Sequence, residues 1–209
     1  MSIQNKSYEV KFEIAGAAAM FTRPDTGATP VSYPAPTYSA AKGMFESIVR
    51  LKSAYIRPTK VEICAPIHYH RYTTNYGGPL RKSNQLSKGS SYQLFATILV
   101  DVCYRIYGVV EELSTPPIDK VTTTNHLHLL QDKFEKRLRN GRWYHVPCLG
   151  WNEFTPSYVG PFRPITERDK SINEKIPSML FSVFEGEGIY APQFRQDVEI
   201  IEGELKYVE

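Results

Sequence analysis

The sequence predicts an α+β protein: a ferredoxin-like (RRM-like) unit over residues 1–147, followed by a smaller β-rich region over residues 148–209. Three observations carry this reading. Segments of period 2 and period 3.6 follow one another in the order strand, helix, strand, strand, helix, strand, which is the split β-α-β arrangement. A long polar interruption at about residues 70–91 separates the second and third strands. After Trp151 the pattern changes to short apolar runs broken by Pro156, Pro161, Pro164 and Pro177, which favours small strands over helices.

Each element follows from local chemistry. Val10, Phe12 and Ile14 alternate with Lys11 and Glu13, the mark of a half-buried strand ending near Gly16. Thr37 or Ser39 can cap the helix that follows, with Ala40, Met44, Phe45, Ile48 and Leu51 at three-to-four spacing until Arg57-Pro58 stops it. Val61, Ile63, Ala65 and Ile67 alternate again, and the β-branched and aromatic run over residues 92–110 reads as a long strand. A second helix is expected over residues 125–139, with Leu127, Leu130, Phe134 and Leu138 on one side and Gly141 as its stop. A last strand completes the unit before Pro147.

Composition excludes several classes. The chain has 209 residues, 42% of them hydrophobic, enough for a packed core. No apolar run approaches the roughly 20 residues of a membrane helix, and the first six residues lack a signal-peptide core, so a cytoplasmic protein with no membrane partner is expected. Cys64, Cys103 and Cys148 form an odd set without close spacing and read as buried free thiols. No cofactor is implied. His68 and His70 share a strand face, but no third and fourth ligand stands at metal-binding spacing, so no metal site is expected.

Net charge is only +3, yet its distribution is uneven. No acidic residue lies between Glu62 and Asp101, while Arg71, Arg81, Lys82 and Lys88 fall there among His68, Tyr69, His70, Tyr72 and Tyr76. Cations for phosphates and aromatic faces for splayed bases are what single-stranded RNA requires. The bland alternative is a solvated surface loop. At the C-terminus Asp197, Glu199, Glu202, Glu204 and Glu209 outnumber Lys206, so a polyanion is repelled there. At the start of the second helix, Thr122, Thr123, Thr124 and Asn125 offer donors beside free backbone N–H groups, a setting that suits phosphate and equally suits an ordinary helix cap. His126 stands in the first turn, where the helix dipole disfavours its protonated form.

Two stretches carry a resemblance. Phe21-Thr22-Arg23-Pro24, running into Ser32-Tyr33-Pro34-Ala35-Pro36-Thr37-Tyr38-Ser39-Ala40-Ala41-Lys42-Gly43, and the later Pro147-Cys148-Leu149-Gly150 resemble the CRISPR-associated Cas-five family, especially its type I-C "d" branch. Glu46-Ser47-Ile48, Ala65-Pro66-Ile67, Asn125-His126 and Val146 through Phe154 extend the likeness over nearly the whole chain. The resemblance implies a Cascade subunit that caps the 5′ handle of a CRISPR RNA, anchors the backbone and large subunits, meets target DNA through the assembled complex, and uses the insertion at about residues 70–91 as a projecting thumb. Arg23, Lys42, Arg71, Tyr76, Arg81, Lys82, Lys88, Asn125 and His126 are the expected RNA-binding residues.

In the branch that also cuts precursor RNA, the resemblance implies a tyrosine at the end of the first helix and a Lys-His pair opening the second. This chain departs from that set. Gap-free matching puts Val49 at the tyrosine position and Asn125 at the lysine, leaving His126 as the only remnant. Each acid–base group typically contributes about a hundredfold or more, so the expectation is an RNA holder that does not cut. Two alternatives stand: a metal-independent endoribonuclease using His126 with relocated partners such as Tyr55 or His128, and a ferredoxin-like protein–protein adaptor that touches no RNA.

Overall fold

The structure, a computed structural model, describes residues 7–76, 82–113, 125–185 and 188–207. Strand β1 (Glu9–Ala19) leads through a short 3-10 turn at Pro24–Thr26 to helix α1 (Tyr38–Ile48). Strands β2 (Ala54–Ile63) and β3 (His68–Tyr76) follow, then the short helix α2 (Ser83–Ser87) and the long strand β4 (Tyr92–Glu112). Helix α3 (His126–Arg139) precedes β5 (Tyr158–Gly160), β6 (Glu174–Glu185), β7 (Ile189–Ile201) and β8 (Glu204–Lys206). All ladders between these strands are antiparallel. They form one sheet in the order β5-β1-β4-β2-β8-β7-β6, with β3 paired to the outer half of β4.

The core lies between this sheet and helices α1 and α3. Phe12 of β1 meets Phe45 of α1 at 5.0 Å and Phe134 of α3 at 6.2 Å between ring centroids, and Phe45 meets Phe134 at 5.6 Å. Each such pair contributes about 0.5–1.5 kcal/mol beyond its buried area. The helix caps act as their sequence implies: Thr37 Oγ1 accepts from the Ala40 N–H at 3.1 Å, and Gly141 takes φ +59° just past α3.

Five expectations need correction. Helix α1 ends at Ile48 rather than continuing past Leu51, because Val49 is already extended at φ −148°. Pro58 therefore does not stop a helix; it sits in β2 beside a bulge, where the register with β4 shifts between Pro58 and Lys60. Strand β1 is buried on both faces at its centre, since Glu13 is as inaccessible as Phe12 and Ile14. No strand occupies residues 142–147; the next one after α3 is β5, which pairs with β1 at Glu13–Ala15. The C-terminal strands are not short, for β6 and β7 form a long hairpin, and Pro177 is accommodated because β6 is an edge strand.

Of the region expected as a loop at residues 70–91, residues 70–76 belong to β3 and residues 83–87 to α2, so the segment lies within and between the strands of a β-hairpin. His68 through Tyr76 pair residue by residue with Val100 down to Tyr92. Asp101, at φ +53°, marks where β4 passes from this hairpin into the central sheet, and the β1 register skips there from Gly16↔Val102 to Ala18↔Val100. Arg81 and Thr122 to Thr124 lie outside the described residues. Among those described, no helix is long and apolar enough to cross a membrane.

The two stretches that carry the resemblance, a hundred residues apart in sequence, pack against each other. The Met20 N–H donates to the Leu149 carbonyl at 2.9 Å, and Trp151 Nε1 donates to Thr22 Oγ1 at 2.9 Å. Leu149 is fully buried. Gly150 sits at φ +92° with a Cβ position only 1.8 Å from the Met20 carbonyl oxygen, so no side chain fits there.

Candidate nucleic-acid interface

The expected RNA-binding residues fall in separate places. Arg71 on β3 and Lys82 and Lys88 at the two ends of α2 occupy the β3–β4 hairpin and are exposed. Arg71 covers the Phe95 ring, its guanidinium carbon 4.7 Å from the ring centroid. Tyr76 ends β3 opposite Tyr92. None of Arg71, Lys82 and Lys88 makes an ion pair among the described residues. The sequence itself places no carboxylate between Glu62 and Asp101.

Arg23 and Lys42 are elsewhere and partly engaged. Arg23 donates to both carboxylate oxygens of Asp25, at 3.2 and 2.7 Å. Lys42 approaches Glu46 at 4.0 Å and lies 5.3 Å from the centroid of the Tyr55 ring. Tyr55 in turn donates its hydroxyl to Glu111 at 2.7 Å, and Arg57 donates to the same carboxylate at 2.6 Å. Burial first, and then this bond to the Glu111 carboxylate, push the Tyr55 phenol up to about 12. A phenol so raised stays protonated near neutral pH and takes no proton from a 2′-hydroxyl.

At the start of α3 the side chains close on one another. The Asn125 amide caps the helix, its oxygen accepting from the His128 N–H at 3.0 Å and its nitrogen donating to the Tyr8 hydroxyl at 2.8 Å. His126 Nδ1 shares a hydrogen bond with Ser53 Oγ at 2.9 Å. Its Nε2 is buried and has no hydrogen-bond partner among the described residues. His128 turns to solvent, 6.2 Å from the Tyr8 ring. Val49 is not part of this group. It is buried beside Arg137 and Asn140 at the other end of α3, roughly 16 Å along the helix by its 1.5 Å rise per residue.

That other end carries a cationic concavity which sequence reading missed. Arg50, Lys133, Lys136, Arg137 and Arg142 line it together with Trp143, around a volume of about 510 Å³. The signal was present, because Lys133, Lys136, Arg137 and Asn140 stand at i, i+3, i+4 and i+7 on α3. Arg50 and Arg142 come from other segments and join only through folding.

The acidic C-terminal stretch is partly neutralised from within. Glu204 binds Lys60 at 2.7 Å and Arg168 at 2.9 Å, and Asp197 binds Lys175 at 2.9 Å. Glu13, on the sheet face away from α1 and α3, is held by Arg163 at 2.5 Å and by the Thr166 hydroxyl at 3.1 Å. Among the described residues no group of three or more potential metal ligands occurs.

Comparisons with known proteins agree with the motifs. The chain is 29% identical over 180 residues, 83% of its length and 72% of the relative's, to a Thermus thermophilus protein named CRISPR pre-crRNA endoribonuclease Cas5d. A Mannheimia succiniciproducens protein of the same name is 27% identical over 165 residues, 72% of this chain and 71% of the relative. In fold it is similar to a crystal structure of a CRISPR-associated protein, with a TM-score of 0.73 at 16% identity, over 96% of this chain and 92% of that one. A functionally uncharacterized protein from Streptococcus mutans gives a TM-score of 0.69 at 17% identity, over the same shares of the two chains. The sequence model of the family described as CRISPR-associated protein (Cas_Cas5) matches residues 9–197, nearly the whole described structure. With both diagnostic motifs packed into one scaffold and that match spanning it, the chain belongs to the CRISPR-associated Cas5 family, in its type I-C branch.

Proposed function

We propose that this protein is the subunit of a type I CRISPR surveillance complex that holds the 5′ handle of the CRISPR RNA and anchors the neighbouring backbone and large subunits, without cutting RNA itself. One observation carries the RNA-holding part: an exposed β-hairpin whose cations have no carboxylate to answer them. The relatives' names, which specify precursor CRISPR RNA, support the same ligand. On this reading β3, α2 and the outer half of β4 are the projecting thumb, and the strands β5-β1-β4-β2 with α1 and α3 are a ferredoxin-like core, β5 serving as its fourth strand. The rest of residues 148–209, with β6, β7 and β8, is then an accessory region that extends the core sheet. Target DNA would be met only through the assembled complex.

Metal-free cleavage needs a base for the 2′-hydroxyl, an acid for the leaving oxygen and positive charge on the phosphate. Asn125 is spent as a cap, Val49 has no proton and stands far from His126, and Tyr55 is held protonated against Glu111. A second reading is favoured by two observations: both named relatives are called endoribonucleases, and His126 keeps one ring nitrogen without a partner. In that reading His126 cuts with relocated partners once RNA opens the site.

Incubating the purified protein with repeat RNA in EDTA separates the two. The expected result is a shifted RNA band with no discrete product. A single discrete product that disappears in His126→Ala would establish the second reading.

A further inference from the structure

Helix α3 divides its surface by charge. Leu130, Phe134 and Leu138 face the core. Lys133, Lys136, Arg137 and Asn140 share another side, and two further segments come to it: Arg50 just beyond the end of α1, and Arg142 and Trp143 just after the Gly141 turn. No carboxylate lines the concavity they form. Arg50, Lys133, Lys136 and Arg142 make no ion pair among the described residues. Its volume of about 510 Å³ falls within the roughly 300–1,000 Å³ usual for small-ligand sites.

The concavity is fixed before any ligand arrives. Arg137 Nη1 donates to the Ile48 carbonyl at 3.1 Å and ties α3 to the end of α1. The N–H groups of Tyr144 and His145 both donate to the Ser47 carbonyl, at 2.8 and 2.9 Å, and hold the returning segment in place. Trp143 packs against the core and is half-buried, so part of its ring faces the concavity it lines.

An ordinary explanation covers part of this. Cations in the last turn answer the negative end of the helix dipole, and Lys136 and Arg137 lie in that turn. Lys133 does not, and Arg50 and Arg142 are not on the helix. Like charges brought together without a counterion repel, so their convergence calls for an anion. The aromatic wall narrows the class further, because phosphate alone has no use for a π-face whereas an unstacked base does.

We propose that this concavity seats one nucleotide of single-stranded RNA, its base against Trp143 and its flanking phosphates on Arg50, Lys133, Lys136 and Arg142. The inference rests on the RNA-holding function and adds to it a site and a mode of contact, separate from the hairpin.

The experiment uses the full chain carrying Trp151→Phe, which leaves Trp143 as the single tryptophan. Repeat RNA as a single strand, the same RNA annealed to its complement, and inorganic triphosphate are titrated in turn while tryptophan emission is followed. Only the single strand is expected to quench the emission. In parallel, Lys133→Gln, Lys136→Gln and Arg142→Gln are combined; these side chains are exposed, so folding is retained. The log–log salt slope of single-strand binding should fall by about 2, at roughly 0.7 per phosphate contact. Either an unquenched ring with RNA bound, or an unchanged slope in the triple variant, overturns the site while the RNA-holding function stands. Wild-type protein that binds no RNA takes down both.

Discussion

His126 and Ser53 share a hydrogen bond of 2.9 Å that pins the first residue of α3 to the residue before β2. The Ser53 carbonyl also accepts from the Leu113 N–H at 3.2 Å, so one residue ties the end of β4, the start of β2 and the start of α3 together. A histidine used in this way is a structural clamp. Its removal is felt in stability before it is felt in chemistry.

Ser53→Ala and His126→Ala should each lower stability by about 1 kcal/mol, the usual net contribution of a partly buried hydrogen bond. Urea unfolding followed by circular dichroism measures this. RNA affinity should stay within about twofold. A tenfold loss of affinity in His126→Ala at unchanged stability would make the ring a ligand contact instead.

The hairpin cations make a separate prediction. Arg71→Ala, Lys82→Ala and Lys88→Ala together should reduce the log–log salt slope of handle-RNA binding by about 2, at roughly 0.7 per contact. Secondary structure should not change, since all three side chains are exposed. An unchanged slope would return the hairpin to the status of a solvated ribbon, and a protein with no salt-dependent RNA binding at all would be the adaptor.

Gly150 tests why the Cys-Leu-Gly turn exists. A Cβ there meets the Met20 carbonyl oxygen at 1.8 Å and its carbon at 2.6 Å, both backbone atoms that cannot swing aside. At φ +92° any side chain is strained as well. Gly150→Ala should therefore cost about 2 kcal/mol or more, read as a lower melting temperature. Gly27→Ala, also at positive φ but with nothing within 4 Å, should cost less.

Acid should weaken the fold through Glu13. Burial alone would raise this carboxyl, but the side chain and backbone N–H of Arg163 and the Thr166 hydroxyl together hold it below its ordinary 4.5. A carboxyl lowered on folding stabilises the native state in full above its unfolded value, and that contribution is lost as pH falls through the lower folded value. Stability should thus decline below about pH 4.5. Glu13→Gln should flatten that decline and cost about 3–5 kcal/mol at pH 7, because Arg163 and Arg105 lose their carboxylate. Urea midpoints from pH 7 to pH 3 would show both effects; an equally steep acid limb in the variant would move the cause to another carboxylate.

The elements themselves were largely legible in the sequence. Val10, Phe12 and Ile14 announced β1 by alternation, Thr37 or Ser39 announced the start of α1, and Asn125 and Gly141 bracketed α3, because caps and periodicity are local properties of the chain. The boundaries that failed were those set by distant partners. Glu13 looked like a solvent-facing strand residue, since nothing nearby in sequence says that Arg163 will cover it. Residues 70–76 looked like part of a loop, because their polar side chains hide a strand that only pairing with β4 stabilises.

The candidate surfaces divide in the same way. The acid-free stretch holding Arg71, Lys82 and Lys88 is contiguous, so the sequence by itself determined that a cationic segment exists, just as Phe21 through Gly43 and Pro147 through Gly150 determined the family. Only the tertiary structure decided that Asn125 is a cap, that Val49 and His126 lie at opposite ends of α3, and that Arg50, Lys133, Lys136, Arg142 and Trp143 share one concavity. The physical reason is distance: charge and stacking act over a few ångströms in space, and residues 50 and 142 become neighbours only when α1 and α3 pack on the same sheet.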